Sequence, residues 1–151
     1  MLLDTLNPER ILIAAEAIGI GQRALAKAVS YAGERKVFGR PIGQNQSIQH
    51  PLAESWMALE AASLMVWRAA KLYDEQKPCG AEANAAKFLA ADAAYEACDR
   101  AVRVHGGFGY AKEYHVERYL REIMIARIAP VSRELIMCYV AEKVLGLPRS
   151  Y

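Results

Sequence analysis

No run of about 18 apolar residues occurs in this sequence, so nothing in it is long enough to cross a bilayer as a helix. No segment alternates polar and apolar residues for long enough to make a convincing strand. Cysteine is scarce and unpaired. Cys79, Cys98 and Cys138 form no CxxC unit and have no histidine at zinc spacing. That argues against a disulfide framework and a zinc site, and it fits reduced thiols in a cytosolic protein. His50, His105 and His115 stand at no metal-binding spacing either, so no metal is expected. A charge excess is also missing: 19 Lys and Arg face 17 Asp and Glu, interspersed, for a net +2. That balance gives no reason to expect a nucleic acid partner. Asp4 and Glu9 precede the first apolar run, unlike a secretory signal.

What is present is a chain of 151 residues, 54% hydrophobic, enough for one ordinary domain with a sizeable core. The apolar pattern is helical almost throughout. Ile11, Ala15, Ile18, Gln22, Leu25 and Val29 alternate steps of four and three, which predicts one stripe of a helix over residues 8–36. Residues 11–20 are apolar nearly all round and read as deeply buried. Gly39–Arg40–Pro41 is a stop. Ile48, Leu52, Ser55, Leu59, Ala62, Val66, Ala69 and Tyr73 predict a second, longer helix, with Ser47 as N-cap and Pro51 in the first turn. Lys77–Pro78–Cys79–Gly80 breaks it. Residues 81–104 read as an alanine-rich third helix that permits close approach of its neighbours and ends at His105–Gly106–Gly107. A shorter fourth helix is expected over 113–128, interrupted by Pro130, and a fifth after a Ser132 cap, ending at Gly146 and Pro148. The expected fold is all-α: an antiparallel four-helix bundle with an additional C-terminal helix, forming a single domain over residues 1–151.

The segment "LNPERILIAAEAIG" opens the first helix. Asn7 suits the N-cap, Pro8 the first helical position, and Glu9 the positive end of the helix dipole. Three loops carry more chemistry than a bundle needs. In "GERKVFGRPIGQNQ", Arg35, Lys36 and Arg40 form the one basic cluster, which suits a small anion; Phe38 can cover a flat ring and Gln46 can hydrogen-bond a ring edge. Equally, cations suit a helix C-terminus. In "RVHGGFGY", the glycines either let a backbone approach a ligand or simply end a helix. His105 reads as a packed or hydrogen-bonded histidine. In "ARIAPVSRE", Pro130 and Ser132 mark a break and restart.

Together, "ERILIAAEAIGIGQRAL" (9–25), "ERKVFGRPIGQNQSIQ" (34–49) and "AVRVHGGFGYAKEYHVERYLREIMI" (101–125) resemble the C-terminal helical domain of the flavin-dependent acyl-CoA dehydrogenases. The resemblance covers nearly the whole chain and rests on the order and separation of these segments. It implies FAD as cofactor, an acyl-CoA substrate oxidised to a trans-2-enoyl-CoA, a homo-oligomer built largely through this bundle, and an electron-transfer flavoprotein as acceptor. It also implies an N-terminal helical domain and a middle β domain that this sequence does not contain, so the expectation is an FAD site incomplete in this chain alone and little activity by itself. The implied location is cytoplasmic, or the mitochondrial matrix in a eukaryote.

By the same resemblance, Arg35 corresponds to the arginine on the FAD diphosphate across a dimer, Phe38 to the aromatic packed on the cofactor, and Gln46 to the glutamine near its adenine part. Gly106 and Gly107 correspond to the glycines facing the neighbouring flavin's phosphates. Arg103 replaces the usual glutamine before them. Pro130 stands where many members carry the catalytic glutamate, and Ser132 where a threonine hydroxyl meets the flavin. In the isovaleryl and long-chain branch, the base instead sits at the start of the first helix. Glu9 falls on that position as the implied catalytic base, with Arg10 as the arginine near the thioester. Two alternatives stand beside this reading: a stand-alone, non-catalytic helical oligomerisation module, and a partner subunit completing a flavin site with another chain.

Overall fold

Alanine at every third or fourth position of the central helix sets how this fold packs. The computed structural model describes residues 5–150; residues 1–4 and 151, which belong to the domain expected from the sequence, lie outside the described residues. The helices are α1 (Asn7–Glu34), α2 (Gln46–Asp74), α3 (Gly80–His105), α4 (Val116–Ile128) and α5 (Arg133–Tyr139). A hairpin of two short strands, β1 (Lys36–Val37) and β2 (Arg40–Pro41), follows α1. Short 3₁₀ turns lead into α2 and α4, and a π turn over Val140–Val144 extends α5. The expected all-α bundle with an added C-terminal helix is what forms.

Helix α3 packs on α1, α2, α4 and α5. Ala83, Ala86, Ala90, Ala94, Ala97 and Ala101 are completely buried along it. Small side chains let helix axes come close, and the α1 crossing is tight: a Cβ on Gly21 would lie 2.9 Å from Ala94 Cα. Larger groups fill the remaining space. Leu59, Ile123 and Ile136 are at most 2% exposed, and truncating any of them to alanine would cost about 2–5 kcal/mol.

The α2 stripe emerges through its middle, with Leu52, Ser55, Leu59, Ala62, Val66 and Ala69 all buried, while Ile48 is partly buried and Tyr73 is exposed. The α1 stripe holds only at Ile11, Ile18 and Leu25. Its buried face runs through Ile11, Ala14, Ala17, Ile18, Gly21, Ala24, Leu25, Ala28 and Ala32, while Ala15, Gln22 and Val29 face outward. The small residues carry the contact because they meet the alanines of α3. Nor is 11–20 buried all round, since Leu12 is 69% exposed.

Two expected caps are corrected. Asn7 lies inside α1 and is buried; its Oδ1 accepts from Arg10 Nη1 at 2.7 Å, which turns it away from the amides of the first turn. Ser47 lies inside α2, whose N-cap is Asn45. The Asn45 side chain is committed to the loop, donating to the Ile42 carbonyl and accepting from Arg40, both at 3.0 Å. Pro51 falls in the second turn of α2, not the first. The Ser132 cap is present: its Oγ accepts from the Leu135 amide at 3.4 Å.

Candidate functional site

Where α1 ends, Tyr31 and Arg35 stand one turn apart, and the chain turns into the β1–β2 hairpin. Where α3 ends, His105 is followed by Gly106 and Gly107. Because α1 and α3 pack together, these ends meet. Tyr31, Arg35, Val37, Ile42, Val104, His105, Gly106, Gly107 and Phe108 line one cavity of about 440 Å³. The structure thus brings Arg35, Gly106 and Gly107 to one place.

The wall of this cavity is aromatic. His105 is buried and stacks on Tyr31, with ring centroids 4.3 Å apart. Its Nδ1 donates to the Ala101 carbonyl at 2.7 Å, since a carbonyl only accepts. Tyr114 meets both rings edge-on, and Phe108 lies 5.2 Å from Tyr114. His105 is therefore the packed, hydrogen-bonded residue its sequence position implied. Tyr31 escaped the sequence reading because it lies inside the helix; the available signal was its place four residues before Arg35.

The three glycines of "HGGFGY" have three different reasons. Gly106 ends α3 at φ 59°, ψ −133°, a conformation open to glycine but strained for other residues. A Cβ on Gly109 would lie 2.3 Å from the Val102 carbonyl oxygen, so packing demands glycine there. Gly107 has neither constraint: its φ is not positive, and a Cβ there would meet nothing within 4 Å. Neither its conformation nor its packing within the described residues calls for glycine there.

Phe38 occupies the hairpin tip with Gly39, at φ 51° and 77°. Two positive φ values in a two-residue loop are the type I′ pattern, which favours Asn-Gly. A phenylalanine held at positive φ and 100% exposed adds nothing to the stability of this chain. Gln46, at the start of α2, is exposed. The Arg103 side chain is 77% exposed with its Nε 2.7 Å from Asp99, and it lines a neighbouring cavity with Ser47, Ile48 and Pro51. Phe38, Gln46 and Arg103 do not line the Arg35 cavity.

Glu9, Arg10 and Ser132 are elsewhere. From Glu9 to Arg35 is 26 residues along α1, or about 39 Å at 1.5 Å per residue. Glu9 is exposed in the first turn. Arg10 is the opposite: only 1% exposed, it holds Asn7 and faces a small cavity with Asn84, Val131, Leu135, Tyr139 and Glu142. Ser132 is half-buried at the start of α5. The candidate residues thus form two clusters at opposite ends of the bundle. Among the described residues, no group of three or more His, Cys, Asp or Glu side chains is placed to hold a metal ion. No helix among them is long and apolar enough to cross a membrane.

Residues 1–145 match the family model described as "Acyl-CoA dehydrogenase, C-terminal domain". The chain is 49% identical over 152 aligned residues to acyl-CoA dehydrogenase FadE12 of Mycobacterium tuberculosis, covering 99% of this chain and 39% of that protein. It is 44% identical to the caffeyl-CoA reductase–Etf complex subunit CarC of Acetobacterium woodii, covering 83% of this chain and 33% of that one. Among solved structures, butyryl-CoA dehydrogenase from Megasphaera elsdenii superposes with a TM-score of 0.92 at 38% identity, covering 95% of this chain and 37% of that chain. The chain therefore spans less than two fifths of the length of these relatives, and all of that span is one domain of theirs. By the family model, the level of identity and the shared fold, the chain belongs to the acyl-CoA dehydrogenase family, as its C-terminal domain.

Proposed function

We propose that this domain serves an FAD-dependent α,β-dehydrogenation of an acyl-CoA thioester, supplying the base, one wall of the FAD site and an oligomer interface. One observation carries the cofactor assignment: Arg35 lies beside the unconstrained backbone of Gly107, in a cavity walled by stacked aromatics. A guanidinium and bare peptide groups suit phosphate oxygens, and aromatic rings suit a flat heterocycle. The residues present therefore fit part of an FAD molecule. Arg35, Gly106 and Gly107 would hold its diphosphate, with Phe38 and Gln46 on its ring systems, Arg103 as an added cation, and the Ser132 hydroxyl at another flavin.

When bound, FAD supplies the acceptor for the substrate's β-hydride. Glu9 removes the α-proton: its carboxylate stands at a helix start, exposed toward whatever covers that end. Proline at position 130 has no acid–base group, so that loop offers no base, and the resemblance of the PERILIA segment points to Glu9 for this task. We assign Arg10 a supporting role beside the thioester. Buried and bonded to Asn7, it fixes the helix turn that carries Glu9.

The 39 Å between the two clusters, roughly 26 helical residues at 1.5 Å each, favours sites shared between copies. A cofactor end held by Arg35 of one subunit would then lie near Glu9 of another. Helix α2 presents Trp56, Met57, Leu64 and Trp67, each more than half exposed, on its outer side, in keeping with burial against a second copy. An electron-transfer flavoprotein is the proposed acceptor, in line with the Etf partnership in the name of the CarC relative.

The test is visible absorbance of the flavin-loaded protein carrying this domain, made anaerobic and mixed with acyl-CoA thioesters of graded chain length. Bleaching by at least one of them is expected. A flavin that stays oxidised with all of them would reject the activity. Failure to retain FAD would reject the cofactor assignment.

A further inference from the structure

Lys87 is 1% exposed, the one ionisable lysine or arginine among the mostly alanine residues buried along α3, with the buried Asn84 one turn before it. Its Nζ donates to the Val131 carbonyl at 2.7 Å, across 44 residues of sequence. Among the described residues, no carboxylate stands within ion-pair distance of it. Burial pushes its pKa below the ordinary lysine value; Asp92 on α3 and Glu134 on α5 oppose that shift, and Arg10 on α1 adds to it. A buried ammonium bonded to a loop carbonyl is a costly way to stabilise a helix pair, since an apolar side chain would fill the space more cheaply.

The loop it holds joins α4 to α5. Two further groups bracket that loop. Arg127 and Arg133 both pair with Asp92 of α3 and lie over the rings of Tyr95 and Phe88. Both are about one-third exposed and share one carboxylate, so they hold the two ends of the loop from its outer side. Lys87 acts from inside, at the middle. Val131 is itself buried and faces the same small cavity as Arg10, the neighbour of Glu9.

We propose that Lys87 is a positioning residue: by tying the Val131 carbonyl to α3, it fixes the 129–132 loop, and with it the Ser132 hydroxyl, beside the helix start that carries Glu9. The loop supplies no base here, because proline occupies position 130. Its remaining task is to be a rigid wall with one placed hydroxyl. The functional half of this inference rests on the dehydrogenase reading; the tether itself does not.

Amide hydrogen exchange on this chain tests the tether. In Lys87→Met, exchange over residues 129–136, including the Leu135 amide that caps on Ser132, should rise about tenfold or more, with α1–α3 changed by less than about twofold. Unchanged exchange in the loop, or a uniform rise everywhere, overturns it. Should Lys87→Met fail to fold, Lys87→Gln keeps an N–H donor and should show the same local rise to a smaller degree. Single-turnover bleaching of the flavin-loaded protein by acyl-CoA tests the function. Lys87→Met should slow it about tenfold to a hundredfold while acyl-CoA affinity moves less than about threefold. Adding Ser132→Ala to that variant should cost less than about twofold more, because the hydroxyl is already misplaced. Fully multiplying losses overturn the positioning role. An unsubstituted protein that no acyl-CoA bleaches would instead sink the dehydrogenase reading, and exchange would still decide the tether.

Discussion

Tyr31 and His105, from the last turns of α1 and α3, stack face to face with their centroids 4.3 Å apart and their planes 24° from parallel. This contact joins the two helix ends that form the Arg35 cavity. The stack belongs to the fold, while the exposed Arg35 guanidinium is available to a ligand. The two should separate by mutation. Tyr31→Ala would remove a partly buried, stacked ring, with a loss of about 1–3 kcal/mol in urea unfolding. Arg35→Ala should leave the unfolding midpoint unchanged and weaken FAD retention about tenfold or more, read by flavin fluorescence after gel filtration.

Phe38 sits in a left-handed conformation with its ring fully exposed. Asparagine fits that turn position better. Phe38→Asn should therefore leave thermal stability unchanged or raised, and at the same time weaken FAD retention or oligomer assembly. Calorimetry and sedimentation of one preparation would show both. A variant that is less stable and binds FAD normally would mean that the ring serves the fold.

Gly107 and Gly109 make a matched pair. Gly109→Ala drives a methyl against the Val102 backbone and should cost about 1–3 kcal/mol. Gly107→Ala meets open space and should stay within about 0.5 kcal/mol of the parent. Only the second substitution probes ligand approach, and it should lower FAD affinity. Equal stability losses at both sites would remove the ligand argument for Gly107.

The sequence carried the helices where large apolar residues mark the buried face, as along Leu52–Leu59–Val66 of α2. It misled along α1, where the contact is made by Ala14, Ala17, Gly21, Ala24 and Ala28, residues that hydrophobic periodicity underweights. The cap expected at Asn7 fails because Arg10, one turn on in the same helix, takes its side-chain oxygen, and the one expected at Ser47 fails because α2 starts at Gln46. At the site, Arg35, Gly106 and Gly107 do converge. Tyr31 stayed hidden because an aromatic inside a helix looks like packing. Lys87 had a legible signal, a charge within an alanine-rich helix, but its partner is a backbone carbonyl 44 residues away.

Cys98 is fully buried, and desolvation, with Glu122 adding to it, pushes its thiol up to about 12. A thiol held neutral in the fold but titrating near 9 when unfolded favours unfolding as pH rises. Between pH 9 and about 12 the folded state holds more protons, so stability falls there, by up to roughly 1.4 kcal/mol per pH unit from this group. Below pH 9 the slope fades, because the thiol is then increasingly protonated in both states. Urea midpoints at pH 8 and pH 10 should show this decline, and Cys98→Ala should flatten it while lowering stability at both. Cys138, only partly buried, should be alkylated first in the folded protein.

Glu9 is the prediction on which the chemistry depends. Exposed in the first turn of α1, it makes no hydrogen bond or ion pair among the described residues. Glu9→Gln keeps the shape and removes the charge, so unfolding should change by no more than the helix-dipole contribution, about 0.3–1 kcal/mol. Loss of a general base costs about 10²–10⁴-fold in rate, and flavin bleaching by acyl-CoA should fall by that much with FAD still bound. Arg10→Lys is the companion variant. It keeps a cation but loses the planar fork that holds Asn7, so its effect should appear in both stability and rate. A Glu9→Gln protein that bleaches within about threefold of the parent would show that Glu9 is not the base.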